Sequence, residues 1–310
     1  MKFKTFFNKN FFYRILQYTG IKFLIYNSIY LIFFAFNKLD LKIFRSVIFK
    51  LNRKKDLIFF NSGKEKFILF TKDFEVSKSI YLHKSFDLHK FFKVMKLLKR
   101  KKINTLYNIG ANIGSICIPT ITRDLVKFAH VVEMEPNNFK LLKLNIGLNN
   151  LENKIKAYNF AMSNIDNKLV SIEYAKNNFG AHSVSRKNLK GPRVFSKKFD
   201  TLFKNIERKN SLIWVDTEGY EEKILGGSKK MLRNKCPIVI EFWPKALLKF
   251  NSYNKLKKHI NSYEFLYDLS EEEPSKLRIN KKNIDNFFLD WKKKTYRNPN
   301  KTIFTDLLLI

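Results

Sequence analysis

From residue 101 onward, short apolar runs alternate with stretches whose apolar residues recur at helical spacing. Runs at 103–109, 130–135, 154–161, 212–216, 237–242, 263–269 and 302–310 predict seven strands. Strands separated by helical stretches predict a parallel sheet with crossover helices. The order suits a doubly wound, Rossmann-like α/β sheet, mostly parallel, closed by an antiparallel last strand. A helix is expected over 114–128, with Pro119 removing one donor near its start. A second follows Pro136, placing Phe139, Leu142 and Ile146 on one face.

Residues 163–210 interrupt this alternation, being polar and without clear helical periodicity. Within them, 169–173 and 182–186 predict an inserted hairpin, in an insertion of about 163–200, around Asn177-Asn178-Phe179-Gly180, whose Asn and Gly tolerate turn conformations. Such an insertion overhangs the carboxyl ends of the strands, where open α/β sheets bind their ligands. Substrate recognition is expected there.

The first hundred residues read differently. Residues 1–102 carry 24 Lys or Arg against six Asp or Glu. An apolar run at 23–36, broken by Asn27 and Ser28 and flanked by Lys22 and Lys38, falls short of the roughly 20 residues that span a bilayer. It suits either an interfacial helix on anionic lipid or a helix packed on the domain that follows. The division expected is therefore a basic N-terminal accessory region, 1–100, membrane-associating in the first reading, and an α/β domain, 101–310.

Composition sharpens this picture. The whole chain has 310 residues and a formal charge of +33, more than solubility calls for. A polyanionic neighbour follows: membrane surface, acidic glycan or nucleic acid. An AT-biased genome is the plainer source of the Lys, Asn, Ile and Phe richness. Cys117 and Cys236 lie far apart, and the five histidines form no paired motif, which points to a reduced cytoplasmic setting without structural zinc. No secretory cleavage site is recognisable near the start.

The candidate chemistry begins at Asn108-Ile109-Gly110-Ala111-Asn112-Ile113-Gly114, at the end of the first strand of the alternation. Gly110 permits a sharp turn and Gly114 a close approach to a ligand. Asn112 stands where a dinucleotide fingerprint has its middle glycine, and no Lys-Ser or Lys-Thr follows as in a phosphate loop. A cofactor with a methionine tail fits better, its carboxylate meeting free amides at the helix start; a bare strand-to-helix turn is the simpler alternative. Glu135 closes the next strand, 25 residues after Gly110, where an acid can accept hydrogen bonds from ribose hydroxyls. Glu133 shares its face but lies deeper, so Glu135 is preferred. Ala161-Met162-Ser163 either flanks an adenine ring or simply ends an apolar strand.

Taken together, the loop 108–114, Glu135-Pro136-Asn137, Trp214-Val215-Asp216-Thr217-Glu218-Gly219-Tyr220-Glu221 and Pro237-Ile238-Val239-Ile240-Glu241 resemble the FkbM family of methyltransferases over roughly residues 100–245. The resemblance implies a class I methyltransferase fold, S-adenosylmethionine as cofactor and O-methylation of a sugar or natural-product hydroxyl. Asn108, Gly110, Asn112, Gly114, Glu135 and Ala161 are the cofactor-site candidates. One departure is Asn108, where this family commonly has Asp: the hydrogen-bonding reach stays and the charge is lost.

Methyl transfer to an alcohol needs alignment, plus a base or a cation that makes the hydroxyl a nucleophile. Asp216 and Glu241, at strand ends on the ligand side, are first and second choice for base or metal ligand. Glu218 joins them, unless Glu218 and Glu221 cap the next helix. His182 in the hairpin is a further candidate base, and three carboxylates at adjacent strand ends also suit magnesium. The expected acceptor is a carbohydrate or glycolipid, met at the cytoplasmic face of an anionic membrane. A nucleic-acid methyltransferase is disfavoured, because Asp216-Thr-Glu-Gly stands where base-directed enzymes keep Asn/Asp-Pro-Pro-aromatic. The remaining alternative is a non-catalytic glycan- or membrane-binding module on the same fold. Oligomeric state is not encoded in any of these patterns.

Overall fold

The computed structural model describes residues 27–28, 42–98, 102–185, 191–204 and 210–310. The apolar run at 23–36 lies outside the described residues except for Asn27 and Ser28, as does Arg186 of the expected hairpin. The chain forms two compact units, residues up to Lys54 and Lys55–Ile310. In the first, the helix Lys42–Leu51 runs into a 3-10 turn at Asn52–Lys54. The boundary expected near residue 100 thus falls at Lys55. Among the described residues no helix is long and apolar enough to cross a membrane.

The second unit opens with a hairpin, β1 Leu57–Asn61 and β2 Lys66–Phe70. Two asparagines one helical turn apart on Pro136–Leu148 and its cap hold β2 in place. Asn145 Oδ1 accepts from the Ile68 amide at 2.7 Å, while its Nδ2 donates to the carbonyls of Ile68 and Ile113. Asn149 does the same for the amide and carbonyl of Lys66. These side chains supply the backbone partners that an edge strand otherwise lacks. Buried Glu65 then ties the hairpin to Arg123 at 2.8 Å. Residues 55–98, which sequence pattern grouped with the accessory region, are therefore part of the α/β unit.

The main sheet begins with β3 Thr105–Ile109, β4 Phe128–Val132 and β5 Ile155–Tyr158. The chain then leaves it for a smaller sheet of β6 Ala161–Met162, β7 Leu169–Glu173, β8 Ser183–Val184 and β9 Arg193–Lys197. It returns through β10 Ser211–Val215, β11 Ile238–Phe242, β12 Phe265–Asp268, β13 Lys276–Arg278 and β14 Thr305–Leu309. The order across the main sheet is β13-β12-β14-β11-β10-β3-β4-β5. From β11 to β5 neighbours are parallel, and β14 runs antiparallel to β11.

All seven expected strands occur, with three differences. The short edge strand β13 makes an eighth, pairing antiparallel with β12. The run at 154–161 is two strands in two sheets, because Asn159 Nδ2 donates to the carbonyls of Glu133 and Met134 and breaks the ladder between them. The inserted hairpin exists, with Ile172 opposite Val184, but β9 and β6 extend it to four strands.

Strands β10, β11 and β14 are buried at every residue, the mark of a sheet covered on both faces. One face packs Ile213, Ile240 and Leu307 against Leu256 of Tyr253–Ile260 and Phe288 of Lys281–Arg297. Trp214, pointing the other way, stacks on Phe91 of the helix Leu88–Leu97 with ring centroids 5.8 Å apart.

Asn145→Ala removes the partners of three backbone groups, and the expected cost is about 2–4 kcal/mol of unfolding free energy. Urea denaturation measures it, and limited proteolysis between residues 57 and 70 is expected to quicken in parallel.

Candidate active site

The carboxyl ends of β3, β4, β10 and β11 open into a cavity of about 500 Å³, a size usual for small-molecule sites. Its shape depends first on Gly110, which sits at φ +83°; a Cβ there would come 1.8 Å from the Asp216 carbonyl oxygen. Only a glycine lets the turn after β3 lie against the turn after β10.

The helix expected from residue 114 starts later and is short, Cys117–Thr122. Asn112 (φ +50°) and Gly114 (φ +97°) take left-handed conformations, which a right-handed helix cannot accommodate. The loop amides consequently bond inward. Gly110 and Ala111 donate to the Val132 carbonyl, Asn112 to Glu133 Oε2 at 2.7 Å, Ile113 to Asn112 Oδ1, and Gly114 to the Ala111 carbonyl. The expectation that these amides await a carboxylate is corrected: none from 110 to 114 is free for one.

Of the two glutamates after β4, the cavity is lined by Glu133 and not by the expected Glu135. Glu135 is the N-cap of Pro136–Leu148: its Oε2 accepts from the Asn138 amide at 2.6 Å, and its Oε1 from Asn137 and the Tyr174 hydroxyl. It is fully buried and does not line the cavity. Glu133 does line it, with Oε2 on the Asn112 amide and Oε1 on the Glu135 amide. Burial raises its pKa to about 7, although those two amides pull it down. Ala161 and Met162, both buried, form part of the same wall. Asn108 is 1% exposed, faces the cavity, and its Oδ1 has no hydrogen-bond partner.

Across the cavity stand Asp216, Glu218 and Glu241, with one oxygen of each within 4.8 Å of the others. Glu218 (φ +59°) and Gly219 (φ +94°) make a left-handed pair, and Glu221 fixes this turn by accepting from the Thr217 and Gly219 amides and the Thr217 hydroxyl. Glu221 is thus an organiser of the turn before its helix and not the helix cap of the capping alternative, since the helix has no side-chain cap. Burial, then the neighbouring carboxylates, push Asp216 and Glu241 well above the ordinary range, and Glu218 rises to about 7 for the same reasons.

Two residues outside the sequence-derived set complete this wall. Asp306 lies opposite Glu241 in the β11–β14 register, and Lys90 Nζ reaches it at 2.6 Å while also holding Asp87 at 2.8 Å. Burial alone would lower the Lys90 pKa, but the two aspartates outweigh it and keep the ammonium charged. A lone acid in the apolar strand 305–309 was a readable signal for Asp306; nothing in the local sequence marks Lys90.

His182 also lines the cavity, from the inserted sheet. Its Nδ1 accepts from the Ala175 amide, and burial lowers its pKa. The neutral ring therefore carries its proton on Nε2, with the Nδ1 lone pair already engaged by the backbone.

Residues 108–269, more than half the chain, match the family described as the methyltransferase FkbM domain. The chain belongs to the FkbM methyltransferase family. It is a methyltransferase, and several solved structures are similar to it at low identity. One is the METTL16 MTase domain, with 12% identity over 86% of this chain and 78% of that one and a TM-score of 0.40. Another is M. jannaschii TYW2 in complex with AdoMet, with 11% identity over 82% and 85% and a TM-score of 0.38. A third is StiE O-MT residues 961–1257, with 10% identity over 72% of each chain and a TM-score of 0.36. No curated protein matches the chain.

A carboxylate whose pKa is higher in the folded state than the ordinary glutamate value of 4.5 binds more protons folded than unfolded. The stability this contributes is present below pH 4.5 and is lost as pH rises through about 7 for Glu133. The ligand-free methyltransferase is therefore expected to show a falling melting temperature from pH 5 to 8. Glu133→Gln, though less stable throughout, should show a shallower fall in the same scans.

Proposed function

We propose that this methyltransferase uses S-adenosylmethionine to methylate a hydroxyl of a sugar, polysaccharide or glycolipid. The observation that carries this reading is one cavity with two unlike halves. On one side are the β3 loop, Glu133 and the apolar Ala161–Met162 wall; on the other, Asp216, Glu218 and Glu241 stand beside Trp243 and Phe304.

The first half fits the cofactor. Glu133 has each oxygen oriented by one amide, which leaves lone pairs for two ribose hydroxyls. Asn108 Oδ1 is a buried acceptor suited to the amino group, and Ala161 and Met162 suit the face of an adenine. When bound, S-adenosylmethionine supplies a methyl group already activated by its sulfonium, so the chain need only align the acceptor and take up its proton.

The second half fits a polyhydroxylated acceptor. Carboxylates accept hydrogen bonds from hydroxyls, and flat aromatic walls cover the apolar faces of a sugar ring. Trp243 Nε1 is buried without a partner, ready to donate to a ring or hydroxyl oxygen. Asp216 and Glu241, at the ends of adjacent strands, are placed to accept the proton that the reacting hydroxyl gives up. The acidic wall repels phosphate, which weighs against a nucleic-acid strand as acceptor. The net +33 of the whole chain suits peripheral attachment to an anionic membrane face, where a glycolipid would be presented.

Incubation with a labelled methyl donor and cell-surface glycan extracts, followed by mass spectrometry, tests the acceptor class; a methyl-sized gain on lipid or protein alone would sink it. Calorimetry tests the donor half: Glu133→Ala is expected to weaken S-adenosylmethionine binding at least ~10-fold. Glu135→Ala should mainly cost stability, about 1 kcal/mol for a lost helix cap. Asp216→Asn should keep donor affinity within about twofold and lose roughly 10²–10⁴ in kcat.

A further inference from the structure

The charge within the cavity runs opposite to the charge of the chain. Among the described residues, seven carboxylates and a single lysine line it, in a protein whose formal charge is +33. That lysine, Lys90, already bridges Asp306 and Asp87. Asp216, Glu218 and Glu241 are left facing one another, with an oxygen from each inside a 4.8 Å circle. Glu241 is 6% exposed, and its Oε2 has no hydrogen-bond partner. A buried carboxylate oxygen that no donor satisfies, held among like charges, points to a missing positive ligand.

We infer that Asp216, Glu218 and Glu241 together bind one hard divalent cation of the Mg²⁺ or Mn²⁺ type. The inference rests on reading this cavity as the acceptor half of the methyltransferase site. An all-oxygen donor set selects such ions over softer metals. Three carboxylates from two adjacent strand ends leave the remaining positions to water and to acceptor hydroxyls. The turn 217–221 is already braced by Glu221, so Glu218 does not have to be ordered by the ion. A cation here would fix which hydroxyl meets the donor, and Asp216 keeps its second oxygen for that hydroxyl's proton.

The test is titration of Mn²⁺ into the full chain without donor or acceptor, followed by loss of the free-ion electron paramagnetic resonance signal. One equivalent is expected to bind, and Mg²⁺ is expected to displace it. Asp216→Asn and Glu241→Gln should each weaken binding at least ~10-fold, while Asp290→Asn, beside the separate shallow depression near β12, should leave it unchanged. The metal-free Glu241→Gln protein is expected to melt no lower than the metal-free wild type, because it loses a buried unpaired charge, so a fall in its Mn²⁺ affinity cannot be put down to misfolding. No Mn²⁺ uptake at millimolar ion and pH 8, or uptake indifferent to both substitutions, overturns the site. So does stabilisation by glucosamine but not by Mn²⁺, which would assign the charge to a cationic acceptor. S-adenosylmethionine binding measured on the same samples stands apart: its failure would count against the donor half and leave the ion result to be read alone.

Discussion

Placing several carboxylates at the buried edge of one sheet is costly, and the way this chain compensates them explains much of the architecture around the site. Two unit charges about 4 Å apart repel by roughly 4 kcal/mol at an effective dielectric of 20, so Asp216, Glu241 and Asp306 on three neighbouring strands cannot all stay ionised without help. Part of the help is Lys90, whose helix Leu88–Leu97 is itself seated by the Phe91–Trp214 stack. Part is protonation, seen in the raised pKa values of the whole group. The sheet thus carries a stored electrostatic tension at its ligand edge, and binding a cation or taking up a proton both relieve it.

Glu133 shows the same logic at the donor side with a different solution. Instead of a lysine, two backbone amides hold its carboxylate, those of Asn112 and Glu135. One residue therefore ties the turn after β3 to the segment after β4, and the left-handed Asn112 is what aims the amide. Gly110 closes the third side by letting the Asp216 carbonyl approach. The proposed donor and acceptor halves are consequently locked to a common backbone frame, as alignment-driven chemistry requires.

Most of this fold was legible from pattern, because apolar runs buried on both sheet faces leave a strong signal. Strands β10, β11 and β14 are examples. The site was half legible. Asp216, Glu218 and Glu241 stand at strand ends that periodicity can locate. Strand alternation, with Glu133 taken to lie deeper, led to Glu135 over Glu133, and it misleads there because β4 ends at Val132 and alternation no longer applies beyond it. The inward-turned amides of 110–114 depend on Asn112 adopting a left-handed conformation, which sequence permits but does not demand. Lys90 and the hairpin of residues 57–70 were placed outside the domain because their attachment runs through side chains such as Asn145 and Asp306, far away in sequence.

The contrast between a basic chain and an acidic cavity also constrains what can react. A polyanionic surface is drawn to the protein over a Debye length of about 8 Å at physiological salt, yet its phosphates or carboxylates are repelled at the cavity wall. Under the proposed function, what enters is the neutral, hydroxyl-bearing part of such a molecule, and Trp243 and Phe304 offer it aromatic surface. On this argument the charge of the acceptor and the group that is methylated are separated in space. The glycolipid we propose as acceptor, with its anionic neighbours in the membrane plane and its uncharged sugar standing off, would meet that requirement better than a nucleic acid, whose charge runs along every residue of the strand.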